Sequence, residues 1–431
     1  MGKKYDGKIL LVLGSNVGAV DIVTYAKNNG AYTIVADYYP IERSSAKQMA
    51  DEAIEISTAD VEALVKLVKE RHVSGVLAGI SEFNLLKAME IAERTGLPFY
   101  FNAEMWESIE NKSKFRTLCE KHNIPCPKTY FTGKSISDTV WQRICYPVMV
   151  KPVDASSSKG VYYCSDENEL RMHAIESIKE STCGEIIVEE YISGDEFTAH
   201  YTIADGRVSL ASVDNRYPVA VHAGDPTTIP IARIYPFLYL GEYLRQVDPQ
   251  MKALCKDIGA QNAILFIQGL YNDETNCFSI FEAGLRSAGE APYRLIRRVN
   301  GVNAITVLVD HALSVPSEFD TEKDDPTMKG KCCGIVSFVT KGGVVGKILG
   351  LEEAVAVTPS VLEYESRYPE GTETPNGRTL RQLMIRFVMV CDSREQMEHD
   401  IKYLNEHITV LGLDGNNMVI KMEPKRVYGT K

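Results

Sequence analysis

Within its first hundred residues the chain alternates short apolar runs with amphipathic stretches, and this alternation restricts the fold more than any other feature. The run KILLVL, residues 8 to 13, ends at Gly14-Ser15-Asn16; an amphipathic stretch then runs to about Asn29 and closes on Gly30, a residue type favoured where helices stop. Tyr32 to Ala36 is a second run, followed by Asp37, and Val61 to His72 has a helical texture that leads to a third run, Gly75 to Ala78. Strands alternating with helices pair in parallel, because each crossover helix lies on a face of the sheet. A first unit of this kind is expected to end near Asn102.

From Lys112 the texture changes. The polar helix KSKFRTLCEKH stops at Ile124-Pro125, since proline cannot continue a helix and disfavours it in the preceding residue. Strands are expected at Pro147 to Pro152, Gly160 to Cys164, Glu185 to Tyr191, Phe197 to Ile203 and Phe278 to Phe281, with helices at Glu167 to Ser181, Leu238 to Val247 and Pro249 to Gly259. That order is α+β and partly antiparallel. After an acidic linker beginning near Pro316 come the glycine-punctuated strands of CGIVSFVTKGGVVGKILGL, then a strand and a helix whose Met397, Ile401, Leu404 and Ile408 form one apolar face. The fold class is therefore multidomain α/β and α+β, with units at 1–105, 106–315 and 316–431.

A formal net charge of -11 without a dense Lys/Arg stripe repels a polyphosphate backbone, which argues against a nucleic-acid partner. The ten cysteines include no CxxC pair and read as reduced thiols. The first apolar run is too short for a signal peptide or a membrane span, so a cytoplasmic protein with small-molecule partners and no membrane association is expected.

Three stretches carry chemistry. In YPVMVKPVDASSSKGVYYC, residues 146 to 164, Lys151 ends an apolar strand and a Ser/Gly loop from Asp154 to Gly160 follows. A fixed cation beside a loop of backbone N–H groups suits phosphates, although an ordinary hairpin turn reads the same way. In IIVEEYISGDEFTAHYTI, residues 186 to 203, backbone near Glu190 to Ile192 can meet an adenine edge and Glu196 can accept from ribose hydroxyls; solvated acids at a strand end are the alternative. In AILFIQGLYNDETNCFSIFEAGLRSAGEAP, residues 263 to 292, two strands carry Gln268 and Glu282, and a hairpin would make them neighbouring oxygen ligands for Mg2+, with Arg286 adding charge for a transferring phosphoryl group. Polar residues on a wet strand face would look alike.

Taken in order and spacing, these stretches resemble the ATP-grasp superfamily over residues 8 to about 312. The resemblance implies a biotin-carboxylase-like N-terminal domain, a central ATP-grasp domain whose nucleotide-covering part spans about 125–192, and a small α+β C-terminal domain. It implies ATP and Mg2+ (or Mn2+) as cofactors, with Lys112, its neighbour Lys114 as second choice, and Lys151 on the phosphates. Ser156, Ser157, Ser158 and Gly160 match the covering loop, Glu189, Glu190, Tyr191 and Ile192 the adenine contacts, and Glu196 the ribose contact. Gln268 and Glu282, fourteen apart, look like the metal pair of the carbamoyl-phosphate synthetase large chain, and Lys151 and Arg286 take the catalytic places. The family pattern ExNxR reads Glu282-Ala283-Gly284-Leu285-Arg286 here, so the metal-binding asparagine is missing.

The region after residue 316 is too short for a second ATP-grasp half, and its glycine- and valine-rich strands look like the small domain of L-amino acid ligases. The implied function is an ADP-forming carboxylate–amine ligase working through an acyl phosphate on a small carboxylate and an amine; an ATP-binding homologue disarmed by Gly284 is the alternative. A homodimer is left open. Asp214, Arg216, His222 and Arg233, in the polar segment 212 to 236, are the substrate-contact candidates, with a surface loop as the competing reading.

Overall fold

A computed structural model of the chain describes residues 2–155, 159–221, 229–377 and 379–429. The first unit is a parallel sheet of β1 (Ile9–Leu13), β2 (Tyr32–Asp37), β3 (Glu52–Glu55) and β4 (Gly75–Ala78), in the order β3-β2-β1-β4. Leu10 to Leu13 are fully buried, because helices α1 (Val17–Asn28), α2 (Ser45–Met49), α3 (Val61–Glu70) and α4 (Glu82–Thr95) leave the central strand no wet face. Asn16 caps α1 by accepting from Ala19 N at 3.1 Å, and the same oxygen accepts from Ile80 N at 3.2 Å, which ties the ends of β1 and β4 together. Two more helices, α5 (Ala103–Glu110) and α6 (Lys112–Lys121), lead out of this unit.

An antiparallel sheet follows, formed by β5 (Thr129–Gly133), β6 (Val148–Pro152), β7 (Tyr162–Cys164) and β8 (Ile186–Glu190) in the order β5-β8-β6-β7. It encloses a small core of its own, with Val148, Val150, Ile186 and Val188 packed against the helix Glu167–Glu180.

The largest sheet comprises β9 (Asp195–Ala204), β10 (Arg207–Val219), β11 (Ile229–Tyr235), β12 (Ala263–Asn272), β13 (Cys277–Gly284), β14 (Cys332–Thr340), β16 (Val361–Ser366), β18 (Leu383–Cys391) and β20 (Val419–Ile420). Between these in sequence, β15 (Gly343–Leu349) pairs with β17 (Glu373–Thr374) and β19 (Thr409–Gly412) in a separate small sheet. Two findings correct the sequence reading. The segment 212 to 236 is not a surface loop where it is described: β10 and β11 pair there, and Asp214 and Arg233 are buried. Their polarity misled because these side chains neutralise one another inside the sheet. The large sheet also runs through the division at 315/316, since Tyr235 of β11 pairs with Cys333 of β14. The C-terminal core accordingly mixes Tyr217, Ile229 and Ile231 with Phe338, Phe387 and the helix Arg394–His407, which buries Met397, Ile401 and Leu404, Ile408 following as its C-cap. Among the described residues no helix is long and apolar enough to cross a membrane.

Candidate active site

The antiparallel sheet and the edge of the large sheet enclose a cleft of about 550 Å³. Of the residues singled out from sequence, Lys112, Lys151, Glu189, Glu190, Tyr191, Ile192, Glu196, Gln268 and Glu282 all line it. Gly160 and Arg286 do not, and Ser156, Ser157, Ser158 and His222 lie outside the described residues.

One end of the cleft is cationic. Asn111 caps α6 through Ser113 N and Lys114 N, so Lys112 and Arg116, four residues apart, fall on one helix face. Lys112 is buried and its Nζ donates to Ala155 O at 2.7 Å. Lys114 instead points outward to Glu107 Oε1 at 2.5 Å with its side chain half exposed, which removes it as the alternative to Lys112. Lys151, at the end of β6, lies diagonally across from Glu189 on β8, because Met149 is the residue directly opposite Glu189. Lys151 Nζ is 2.5 Å from Glu189 Oε2. Arg116, which sequence reasoning missed, bonds both oxygens of the same carboxylate and donates to Phe281 O at 2.8 Å. Its position four residues after Lys112 was the available signal.

The Glu189 carboxyl is fully buried; burial opposes its ionisation, but the Lys151 and Arg116 cations outweigh burial and hold its pKa below the usual range. Three cations, Lys112, Lys151 and Arg116, against this one carboxylate leave two positive charges in a poorly solvated pocket. An anion with several oxygens answers that surplus, and Coulomb attraction there is several-fold stronger than in bulk water. Burial, opposed by Glu189 but reinforced by Arg116 and Lys112, lowers the Lys151 pKa.

The other end is apolar and open at the backbone. Met149, Val161, Ile192 and Leu270 line it, and Tyr191 stands half exposed with its ring edge-on to Tyr163 at 5.0 Å. The hinge strand is held by Glu190, whose N donates to Lys128 O at 2.9 Å and whose carboxylate accepts from Lys128 N at 2.8 Å. Glu196 bonds Arg216 of β10, so a charged pair borders this end. Gly160, at φ +66°, closes the loop after β6: a Cβ there would sit 2.9 Å from Pro152 Cγ, and its carbonyl accepts from Ser177 Oγ at 2.6 Å.

Gln268 and Glu282 are direct register partners on β12 and β13. Adjacent oxygen donors facing a cation-lined cleft suit Mg2+, which takes one or two protein ligands together with substrate phosphates. Among the described residues no cluster of three or more His, Cys, Asp or Glu could hold a metal alone. At Gly284 the third donor is excluded sterically, since a Cβ would lie 2.5 Å from Phe266 Cε1 and 3.1 Å from Glu110 Oε1. Phe266 is the register partner of Gly284 and its ring fills the place.

Arg286 lies beyond that ring, with its guanidinium 5.0 Å from the Phe266 centroid and Nη2 2.6 Å from Glu82 Oε1 at the start of α4. Glu110, a second residue missed from sequence, is pushed up to about 8 by burial, with Arg286 pulling it down and Glu82 and Glu282 pushing it further up. Beneath the cleft, Arg233 Nη1 reaches Asp214 Oδ1 at 3.0 Å and Thr198 Oγ1 at 2.7 Å, and its Nη2 reaches Glu290 Oε2 at 3.2 Å. Of the three substrate-contact candidates among the described residues, Arg216 lines the cleft, while Asp214 and Arg233 are buried and paired with each other.

A parallel nucleotide-fold unit, an antiparallel covering sheet and a cation-lined cleft above paired oxygen donors define a class, and comparison with known proteins agrees. Residues 124–218 match the family described as D-ala D-ala ligase C-terminus. The formate-dependent phosphoribosylglycinamide formyltransferase of Prochlorococcus marinus subsp. pastoris is 31% identical over 201 residues, 45% of this chain and 50% of that protein. The carbamoyl phosphate synthase large chain of Clostridium acetobutylicum is 24% identical over 241 residues, 51% of this chain and 22% of that one. The chain thus spans half the length or less of these curated relatives. Among solved structures, the L-amino acid ligase from Bacillus licheniformis superposes with a TM-score of 0.75 at 18% identity, over 94% of this chain and 99% of that one. A biotin carboxylase from Campylobacter jejuni gives 0.74 at 14% identity, over 98% and 94%. Residues 124–218 thus match that ligase family by sequence, and over the rest of the chain the likeness to these structures is one of fold.

Proposed function

We propose that this protein is an ADP-forming carboxylate–amine ligase that works through an acyl phosphate, with small-molecule substrates, a first unit at 1–105 and the segments 106–315 and 316–431 joined through the large sheet. The observation that carries this reading is the convergence of Lys112, Lys151 and Arg116 on one side of a cleft whose other side presents Gln268 beside Glu282. Lys112 and Lys151 bind the nucleotide phosphates, while the apolar end holds the base against the backbone of Glu190 to Ile192. Gln268 and Glu282 would hold Mg2+, which supplies charge neutralisation across those phosphates.

In the proposed reaction a carboxylate oxygen of the substrate attacks the γ-phosphorus of ATP and the bridging P–O bond to the β-phosphate breaks, releasing ADP. The amine then attacks the acyl carbon, phosphate leaves with the C–O bond electrons, and the amine proton passes to solvent. The residues contribute position and charge, which is most of what phosphoryl transfer asks of a protein. Arg286, beside the Glu282 strand, stabilises the transferring group, and Glu189 keeps Lys151 aimed into the cleft.

A second reading, an ATP-binding protein with little or no turnover, is favoured by Phe266 standing where a third metal donor would be. Phosphate release from Mg-ATP, measured with pooled L-amino acids and with pooled carboxylates plus amines, separates the two. Stimulation by a pool that disappears in Glu282→Ala supports the ligase; ATP binding with no stimulation supports the second reading. A cytoplasmic location and a homodimer are part of the same proposal, the latter checked by light scattering of the purified chain.

A further inference from the structure

The face of the large sheet that bears the paired oxygen donors continues past them. Glu282 of β13 stands opposite Gln268 of β12, Gln268 opposite Thr198 of β9, and Thr198 opposite Asp214 of β10. Directly opposed residues send their side chains to the same face, so these four make one polar row across four strands. The row lines the cleft at Glu282 and Gln268 and is fully buried at Thr198 and Asp214.

Polar side chains inside a sheet cost stability unless each finds a partner, and here the partners form a chain that leads to Gln268. Arg233 of β11, itself buried, donates from Nη1 to Thr198 Oγ1 at 2.7 Å and to Asp214 Oδ1 at 3.0 Å. Its Nη2 donates to both oxygens of Glu290, each at 3.2 Å, and His200 Nε2 bonds Asp214 Oδ2 at 3.1 Å. A guanidinium fixed by two carboxylates keeps its direction toward Thr198. An arginine can only donate, so the Thr198 hydroxyl must turn a lone pair to it. The other lone pair of that oxygen serves Gln268, whose Nε2 donates to Thr198 Oγ1 at 3.5 Å.

That bond has a chemical consequence, because a glutamine is an ambiguous metal ligand. Its amide oxygen can coordinate Mg2+, which takes oxygen donors, whereas its NH2 end offers only hydrogens. A half-turn about the last side-chain bond exchanges the two. A glutamate needs no such selection, since both its ends are oxygens. With Nε2 committed to Thr198, the atom left for the cleft beside Glu282 is Oε1.

We propose that Thr198, fixed by Arg233, is a positioning residue that selects the metal-binding end of the Gln268 amide. This rests on the reading of Gln268 and Glu282 as the Mg2+ pair. Groups standing behind metal ligands set the ligands' orientation, and removing one costs about 10- to 100-fold in metal affinity.

The test is the gain in ATP affinity that excess Mg2+ gives over EDTA, measured by isothermal titration for each variant, with thermal melting as the check on folding. Thr198→Val nearly keeps the volume and removes the acceptor; it should cut the gain about 10-fold and leave the affinity in EDTA unchanged, a split that a general loosening of the sheet would not produce. Thr198→Ser, which retains the hydroxyl, should keep the full gain. Gln268→Glu has no wrong end to present, so adding Thr198→Val to it should leave the gain of Gln268→Glu as it was. A full gain in Thr198→Val, or the same fractional loss in the Gln268→Glu background, overturns the positioning role and leaves the metal pair standing. No gain in the wild type overturns the metal pair and the positioning role with it. Should Thr198→Val not fold, Thr198→Ala, which lacks the same oxygen, is read in its place by the same criteria.

Discussion

At the scale of single residues, Gly284 and Phe266 form one decision made on two strands. An asparagine at 284 would press its Cβ to 2.5 Å from Phe266 Cε1, and Phe266 is buried, so the ring has little room to yield. Gly284→Asn is therefore expected to destabilise by about 1–3 kcal/mol, the usual cost of overpacking, and to lower turnover instead of restoring a metal donor. Adding Phe266→Ala should recover the melting temperature of the single variant at least in part, as read by thermal denaturation alongside phosphate release. The departure at Gly284 was legible in the sequence; its cause was not, because Phe266 reaches it only through strand register. Lys112 over Lys114 was legible in principle, since Asn111 as cap sets which residues of α6 share a face.

At the scale of elements, the loop after β6 is anchored before it reaches the serines. Asp154 Oδ1 accepts from Ser181 Oγ at 2.8 Å and Thr182 N at 3.3 Å, and Oδ2 accepts from Cys183 N at 2.9 Å and from Thr182 Oγ1. Burial opposes the charge, but these donors prevail and bring the carboxyl from 3.8 down to about 2. A carboxyl depressed by folding adds stability above its unfolded value of 3.8, and that stability is lost as pH falls through about 2. Asp154→Asn should lower the unfolding free energy at neutral pH by on the order of 1 kcal/mol, allowing for solvent screening, and should flatten the acid decline relative to wild type in chemical denaturation between these pH values. Equal slopes would show that the anchor carries no linked proton.

The strands and helices of the first unit were readable because apolar runs there obey the period of the element. The same rule fails for β10 and β11. Asp214, Asn215, Arg216 and Arg233 break the apolar pattern, yet Arg233 is satisfied by Asp214 and Glu290 inside the sheet, so polarity there marks an internal network and not a wet face.

For the whole molecule, the pairing of β11 with β14 makes the C-terminal segment an extension of the large sheet. No local pattern announces such a contact, because strand order depends on partners distant in sequence. The site shows a similar division: its residue types and spacing were visible, while the charge balance that orients them, with Arg116 and Lys151 on one carboxylate, exists only after folding. In a chain of net charge -11, Lys112, Lys151 and Arg116 gather at one end of the cleft around the single carboxylate of Glu189, and a nucleotide site built on that end follows from it.

Isothermal titration of ATP, with Mg2+ and with Mg2+ removed by chelation, into wild type and Lys151→Ala tests it most directly. Wild type should bind ATP, more tightly with Mg2+, and Lys151→Ala should weaken binding at least about 30-fold, the lower end of what truncating a buried charged contact costs. No binding by the folded wild type, or equal affinity in the variant, would contradict a nucleotide site built around Lys151.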